Sequence, residues 1–283
     1  MTAADGVWRV FAREVTAARR TRTYLALALV TAVAVFGVAV AGGGPTGGYV
    51  PTVIDVLLVV EVLVPAVAFA VGYRAMADPI SRGELDVMET YPLPAWGYVG
   101  GTYAGRAMVL SVVVGVPLAA LGVYVATTAG PETTVFASHR GVDSPWLYLR
   151  FLALTLVYGL VSLSLVLLLS VIAGSRARAL VLALAGLLVL TVGGDVAVFA
   201  ALDGGTVTSD SLGGALAVTP AGAYRGLVFD QVLYVAVPTR SSFVPGRLAT
   251  GALLCWWGRP SPAPPSSQPS ASRGRTVPRR RVG

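Results

Sequence analysis

Residues 151–173 read FLALTLVYGLVSLSLVLLLSVIA, without a single charged side chain. A hydrocarbon core of about 30 Å takes roughly 20 helical residues, each rising about 1.5 Å. Backbone amides find no water at that depth, so such a stretch must close its own hydrogen bonds as a helix. Four more stretches of this kind surround it. Tyr24–Ala41 and Ala107–Ala129 are also uncharged; Val53–Tyr73 carries Asp55 and Glu61, and Ala179–Ala201 carries Asp195. The expected fold class is therefore all-α, a polytopic membrane protein with five full transmembrane helices. Leu248–Trp257 begins like a sixth span and breaks off at Gly258, which predicts a truncated sixth helix.

Composition agrees. The chain is 55% hydrophobic and 12% charged, half the charge of an average soluble domain, about 25%. The first apolar run has no clear small-residue cleavage pattern, and further spans follow it, so we read it as retained. Cys255 is the only cysteine, which excludes an intramolecular disulfide. All 21 basic residues are arginine. Without lysine there is no Walker A loop and no Schiff-base chemistry. The run Gly42-Gly43-Gly44-Pro45-Thr46-Gly47-Gly48 therefore reads as a flexible interhelical turn, not a nucleotide cradle. His139 has neither a neighbouring cysteine nor an H-E-x-x-H pattern, and G-x-S-x-G is absent, so catalysis and a zinc site are not expected.

Arginine placement predicts the orientation. Arg9, Arg13, Arg19, Arg20 and Arg22 precede the first span. The loop from Gly42 to Thr52 has no basic residue; the next holds Arg74 and Arg82, with Arg106 beyond it, and the tight loop Gly174–Arg178 holds Arg176 and Arg178. The positive-inside bias places the N-terminus in the cytoplasm. Arg140, Arg150, Arg225, Arg240 and Arg247 then fall in external loops. The net charge of +7 is divided among membrane flanks instead of gathered on one soluble face, which argues against nucleic-acid binding.

Three regions follow from this reading. Residues 1–23 form an N-terminal cytoplasmic segment, an interfacial helix with Val7, Phe11, Val15 and Ala18 on one face and Trp8 beside them. Residues 24–257 form the transmembrane domain, with a cytoplasmic loop at 74–97 and an external loop at 202–247. Residues 258–283 are a tail rich in proline, serine and arginine, a composition that cannot bury a core. Its abrupt start inside a span suggests translation in a shifted frame. In the 74–97 loop, Asp78 and Pro79 suit a helix start, Ser81-x-x-Glu84 competes as a capping box, and Pro92 and Pro94 end the element. A short amphipathic helix is expected from about Pro79 to Thr90, with Ile80, Val87, Met88 and Tyr91 as a stripe needing a partner. For the 202–247 loop, short helices packed on the outer surface are expected.

Intramembrane acids are costly and usually face a bundle interior or water. Asp55 and Glu61 are six residues apart, about 240° around a helix, so they do not share a face. Asp55 reads as interfacial. Glu61, deeper and followed by Pro65, could line a translocation path, pair with an arginine or stay protonated. Asp195, after Gly193-Gly194, is expected near the outer end of the fifth span, in water.

The stretch from Gly72-Tyr73-Arg74 through Arg82-Gly83-Glu84-Leu85-Asp86-Val87-Met88 to Pro92 resembles the loop after the second span of ABC-2 type transporter permeases, most closely their NosY-like group. Ala12-Arg13-Glu14 before the first span, and Thr219-Pro220 with Tyr224-Arg225, are similar to that family too. The resemblance implies a plasma-membrane permease that pairs as a homodimer or heterodimer and docks an ATPase subunit. ATP and magnesium would sit on that partner, with no cofactor on this chain. It also implies that Arg82, Glu84, Leu85, Asp86 and Met88 contact the ATPase, with Arg176 and Arg178 making a smaller contact. NosY-like permeases imply copper or sulfur supply for nitrous oxide reductase maturation. The chain has no Met, His or Cys cluster suited to Cu(I). Export of a lipid or drug, and a non-transporting membrane scaffold, are the alternatives.

Overall fold

The computed structural model of the chain describes residues 3–83, 95–129, 143–206 and 212–233. Among these residues everything regular is helical. Five helices are long and apolar enough to cross a membrane, and the architecture is that of a multi-pass membrane protein. The truncated sixth helix and the tail lie outside the described residues, as does His139.

An amphipathic helix, α1 (Ala3–Arg20), leads into the first span, α2 (Arg22–Gly42). A one-turn helix, α3 (Gly44–Gly47), connects it to the second span, α4 (Tyr49–Gly72). A short α5 (Ala77–Ser81) follows, then the third span, α6 (Ala95–Thr128), and the fourth, α7 (Pro145–Ala173). The fifth span is broken in character: α8 (Arg176–Leu188), a π-helical turn (Val189–Gly193) and α9 (Gly194–Asp203). Of each span's apolar window, 56% is buried in α4, 44% in α6 and 50% in α7, against 17% in α2 and in the fifth span. Three central helices thus carry the core, and two peripheral ones turn Leu25, Leu29 and Val33, or Val181, Leu188 and Phe199, outward.

The outward apolar surface fits a bilayer, where exposure of leucine and valine costs nothing. Packing between helices then depends on close approach and on polar groups satisfied inside. Gly101 and Gly105 on α6 show the first. A Cβ at either position would collide with Val10 or Glu14 of α1. This seats α1 against α6 through Val10 and Glu14, two residues outside the predicted Val7, Phe11, Val15, Ala18 stripe. Trp8 stays 66% exposed and stacks on Phe11.

Ser170 shows the second. Its buried hydroxyl accepts from the amides of Met76 (3.1 Å) and Ala77 (3.0 Å) and donates to the carbonyl of Tyr73 (2.8 Å). The turn leaving α4 is thereby clasped to α7. At the other end Asp143 does the same for the start of α4, accepting from the amides of Tyr49 (2.8 Å) and Val50 (3.0 Å). Those are orphan donors of a helix N-terminus, where a carboxylate is favoured.

Two expectations about the turns on either side of α4 change. The glycine-rich turn is ordered: Gly43 and Gly48 take positive φ (79° and 115°), and the Gly44 amide donates to Asp55 at 2.9 Å. The loop after α4 does not start its helix at Asp78. The helix begins at Ala77 and ends at Ser81, with Gly83 at φ 67°, a conformation that stops an α-helix. The expected single helix from Pro79 to Thr90 is therefore interrupted at Arg82-Gly83. Residues 84–94 lie outside the description.

After Asp203 the chain turns through Gly205 (φ 68°) at the end opposite α1. It then re-enters the bundle instead of covering its outer surface. Two short helices, α10 (Leu212–Ala217) and α11 (Pro220–Val228), form a hairpin. Its tip, Val218-Thr219, reaches Gly194 of the fifth span, where a Cβ would strike Thr219. Ala217, Ala223 and Leu227 pack on Val161, near the middle of α7. The chain returns outward through α11 and a π turn (Phe229–Leu233), and Arg150 near the start of α7 donates to the Gln231 carbonyl at 3.3 Å.

Replacing Ser170 by alanine strands two buried amides. Unmet buried donors cost about 1–3 kcal/mol each. Ser170→Ala is expected to lower stability by about 2 kcal/mol or more in chemical unfolding in micelles, and to expose the 73–83 turn to protease.

Candidate functional site

Pro65 interrupts α4 near its middle. Proline has no amide hydrogen, and its ring crowds the carbonyl four residues earlier. That carbonyl belongs to Glu61 and would lie unpaired inside the bundle. Tyr158 of α7 supplies the missing donor, its hydroxyl bonding the Glu61 carbonyl at 3.1 Å. Tyr158 is fully buried and stacks on Tyr224 of α11, ring centroids 4.5 Å apart and planes 8° from parallel. The Tyr224 hydroxyl pairs with Thr155 at 2.9 Å. The two rings tie α4, α7 and the re-entrant hairpin together at one level.

The Glu61 side chain, 7% exposed, points toward the hairpin. Arg225 meets it with two donors: Nε bonds Oε2 at 3.0 Å, and Nη2 bonds Oε1. The same Nη2 reaches Asp195 Oδ2 at 3.1 Å. One guanidinium therefore bridges two carboxylates from α4 and α9. Of the three roles open to Glu61 in the sequence, pairing with an arginine is the one observed. Asp195 is the second partner of this triad, a role its sequence position did not reveal. Arg225 leaves its expected place in an external loop, because the hairpin that carries it enters the bundle. Asp55, by contrast, sits away from the triad and anchors α3.

Local sequence explains how the hairpin holds Arg225. The Thr219 hydroxyl accepts from the Gly222 amide at 3.1 Å and Pro220 opens α11, an N-cap followed by proline at its preferred position. That start sets the helical phase so that Tyr224 and Arg225 reach α7 and α4. Thr219-Pro220 and Tyr224-Arg225 were visible as motifs in the sequence. Their contact with Glu61 was not, because 164 residues separate Arg225 from it.

A second polar layer lies at the α1 end. Asp78 receives Nε and Nη2 of Arg176, both at 3.0 Å, and Nε of Arg74 at 3.2 Å. The bidentate pair links the turn after α4 with the turn before α8. Arg82 and Arg178 are exposed. Glu84, Leu85, Asp86 and Met88 lie outside the described residues. Among the described residues no group of three or more His, Cys, Asp and Glu side chains could hold a metal ion.

No family model matches the chain, and no curated protein matches it.

Removing one member of a buried ion pair leaves an uncompensated charge, at about 3–5 kcal/mol. Arg225 is 35% exposed, so Arg225→Leu is expected near 3 kcal/mol in chemical unfolding. Adding Glu61→Gln is expected to recover a large part of that loss, a coupling readable in a double-mutant cycle. Tyr158→Phe leaves the buried Glu61 carbonyl without this donor and is expected to cost about 1–3 kcal/mol.

Proposed function

We propose that the chain is the membrane-spanning permease subunit of an ABC transporter, driven by ATP hydrolysis on a separate subunit. The observation that carries this reading is the clasp between Asp78 and Arg176. It joins two interhelical turns into one polar ledge at the arginine-rich end of the bundle. The ledge is fixed to the spans by Ser170, which bonds the Tyr73 carbonyl and the Met76 and Ala77 amides on the two sides of the turn after α4. A push on the ledge is therefore delivered to α4 and α7. Those are the helices whose middles carry Glu61 and Tyr158, and through them the re-entrant hairpin.

In this reading the ledge faces the cytoplasm of the plasma membrane, and an ATPase seats on it. Closure of two ATPase subunits would move α4 and α7 of two paired permeases. Transport is then a coupling free energy between the nucleotide site and the path through the bundle, and it acts in both directions. The triad supports the same assignment, because an intramembrane arginine held by two acids is costly to build and marks a working part of a membrane protein. Arg82 and Arg178, exposed beside the clasp, are the described candidates for direct contact. Copper or sulfur as cargo rests on the sequence resemblance alone.

The test uses the full chain in proteoliposomes with the ATPase that co-purifies with it. Asp78→Asn with Arg176→Gln is expected to reduce the chain's stimulation of ATP hydrolysis several-fold. The same change is expected to shift unfolding in detergent by about 1 kcal/mol or less, since exposed pairs contribute little. Stimulation at the wild-type level in this variant contradicts the docking assignment, and a preparation with no associated ATP hydrolysis points to a scaffold.

A further inference from the structure

A cavity of about 640 Å³ opens at the α1 end, among α1, the start of α2, the end of α4, the start of α5 and one turn of α6. Arg13, Arg74, Arg82 and Arg106 face it, against the carboxylates of Glu14 and Asp78. Among the described residues four arginines and two carboxylates line it, and Asp78 is shared further with Arg176. Tyr24, Thr21 and Thr23 add hydroxyls to the same wall.

Three of these arginines divide into two kinds. Arg106, 20% exposed, is part of the frame. Its Nη1 donates to the Tyr24 hydroxyl at 2.6 Å and to the Val71 carbonyl at 2.9 Å. Its Nε lies 2.8 Å from Glu14 Oε2 but is not aligned for a hydrogen bond, so that contact is an ion pair only. Arg13 and Arg74 are 48% and 44% exposed. Arg13 makes only long contacts, 3.4 Å to Glu14 and 3.4 Å to Tyr98, both through Nη2. Arg74 meets Asp78 through Nε and Nη2. A guanidinium has five donors, so both can take a further acceptor without leaving their partners.

The depth is informative. Tyr24 opens the first apolar run and Val71 lies at the end of the second, so the cavity sits where apolar sequence gives way to charge. That is the headgroup level, and exposed Trp8 on α1 is the residue type that settles there.

We propose that this cavity binds a phosphate group at the edge of the bilayer, with Arg13 and Arg74 as its movable clamps and Arg106 as its fixed floor. Arginine forks match pairs of phosphate oxygens, and basic pockets between membrane helices select anionic headgroups. A phospholipid headgroup and a free phosphate share this chemistry. The inference requires no ATPase and stands whether or not the permease reading holds.

The test is native mass spectrometry of the full chain released from nanodiscs of phosphatidylcholine with a minor share of phosphatidylglycerol. The wild-type chain is expected to retain phosphatidylglycerol preferentially. Each clamp arginine is expected to contribute roughly fivefold, so Arg13→Gln with Arg74→Gln loses about 25-fold. Arg19→Gln with Arg20→Gln removes the same charge outside the cavity and is expected to retain the lipid. If the double variant does not fold, Arg13→Gln alone carries the test with its fivefold loss. A parallel arm adds inorganic phosphate: displacement of the lipid, or stabilisation against heat that is lost in the Arg13→Gln chain, identifies the phosphate group itself as the ligand. Equal retention of both lipids with no effect of phosphate overturns the proposal. So does equal loss from the two arginine pairs.

Discussion

Every backbone and side-chain polar group inside the hydrocarbon layer must find a partner within the protein, and the interior of this bundle is organised around that requirement. Pro65 creates an unpaired carbonyl at Glu61, and Tyr158 fills it. The turn after α4 creates two free amides, and Ser170 accepts both. The first turn of α4 leaves its amides open, and Asp143 closes two of them. In water each of these contacts would be worth about 1 kcal/mol net. In lipid the alternative is several kcal/mol worse, so the contacts decide which helices lie together.

The ion triad obeys the same rule with charge. Arg225 enters at the depth of Glu61 only because two carboxylates meet it there. Two carboxylates and one guanidinium do not balance formally. The peripheral placement of the fifth span leaves Asp195 31% exposed while Glu61 is nearly sealed, so the less sheltered acid is the one nearer the edge. The triad is thus graded from interior to rim, and the hairpin is the element that spans the gradient.

Much of the scaffold was legible from residue order. Four of the five apolar runs lie largely or wholly within one helix of the bundle, and the fifth is covered by α8, the π-helical turn and α9, since the need for internal hydrogen bonding favours helical structure throughout. Glu61 stood out as an acid deep within a span. What could not be read depends on distance along the chain. The partner of Glu61 is 164 positions away, and no periodicity links them. The hairpin of α10 and α11 is invisible to a search for spans, because Leu212–Ala217 and Pro220–Val228 are too short to cross. The expected cap at Asp78 failed for a different reason: its carboxylate has stronger partners in Arg176 and Arg74 than in an amide of its own turn. The glycine run looked flexible because the sequence does not reveal that Asp55, eleven residues on, holds Gly44 in place.

The bond from Tyr158 to Glu61 has one more consequence. A proline leaves its helix weakest where the ladder is missing a rung, and α4 is mended at that point from outside, by a neighbour. Bending of α4 at Pro65 and sliding of α7 past it would both break this one bond, so the two motions draw on the same contact. The ring of Tyr224, stacked on the same tyrosine, extends that shared contact to the hairpin.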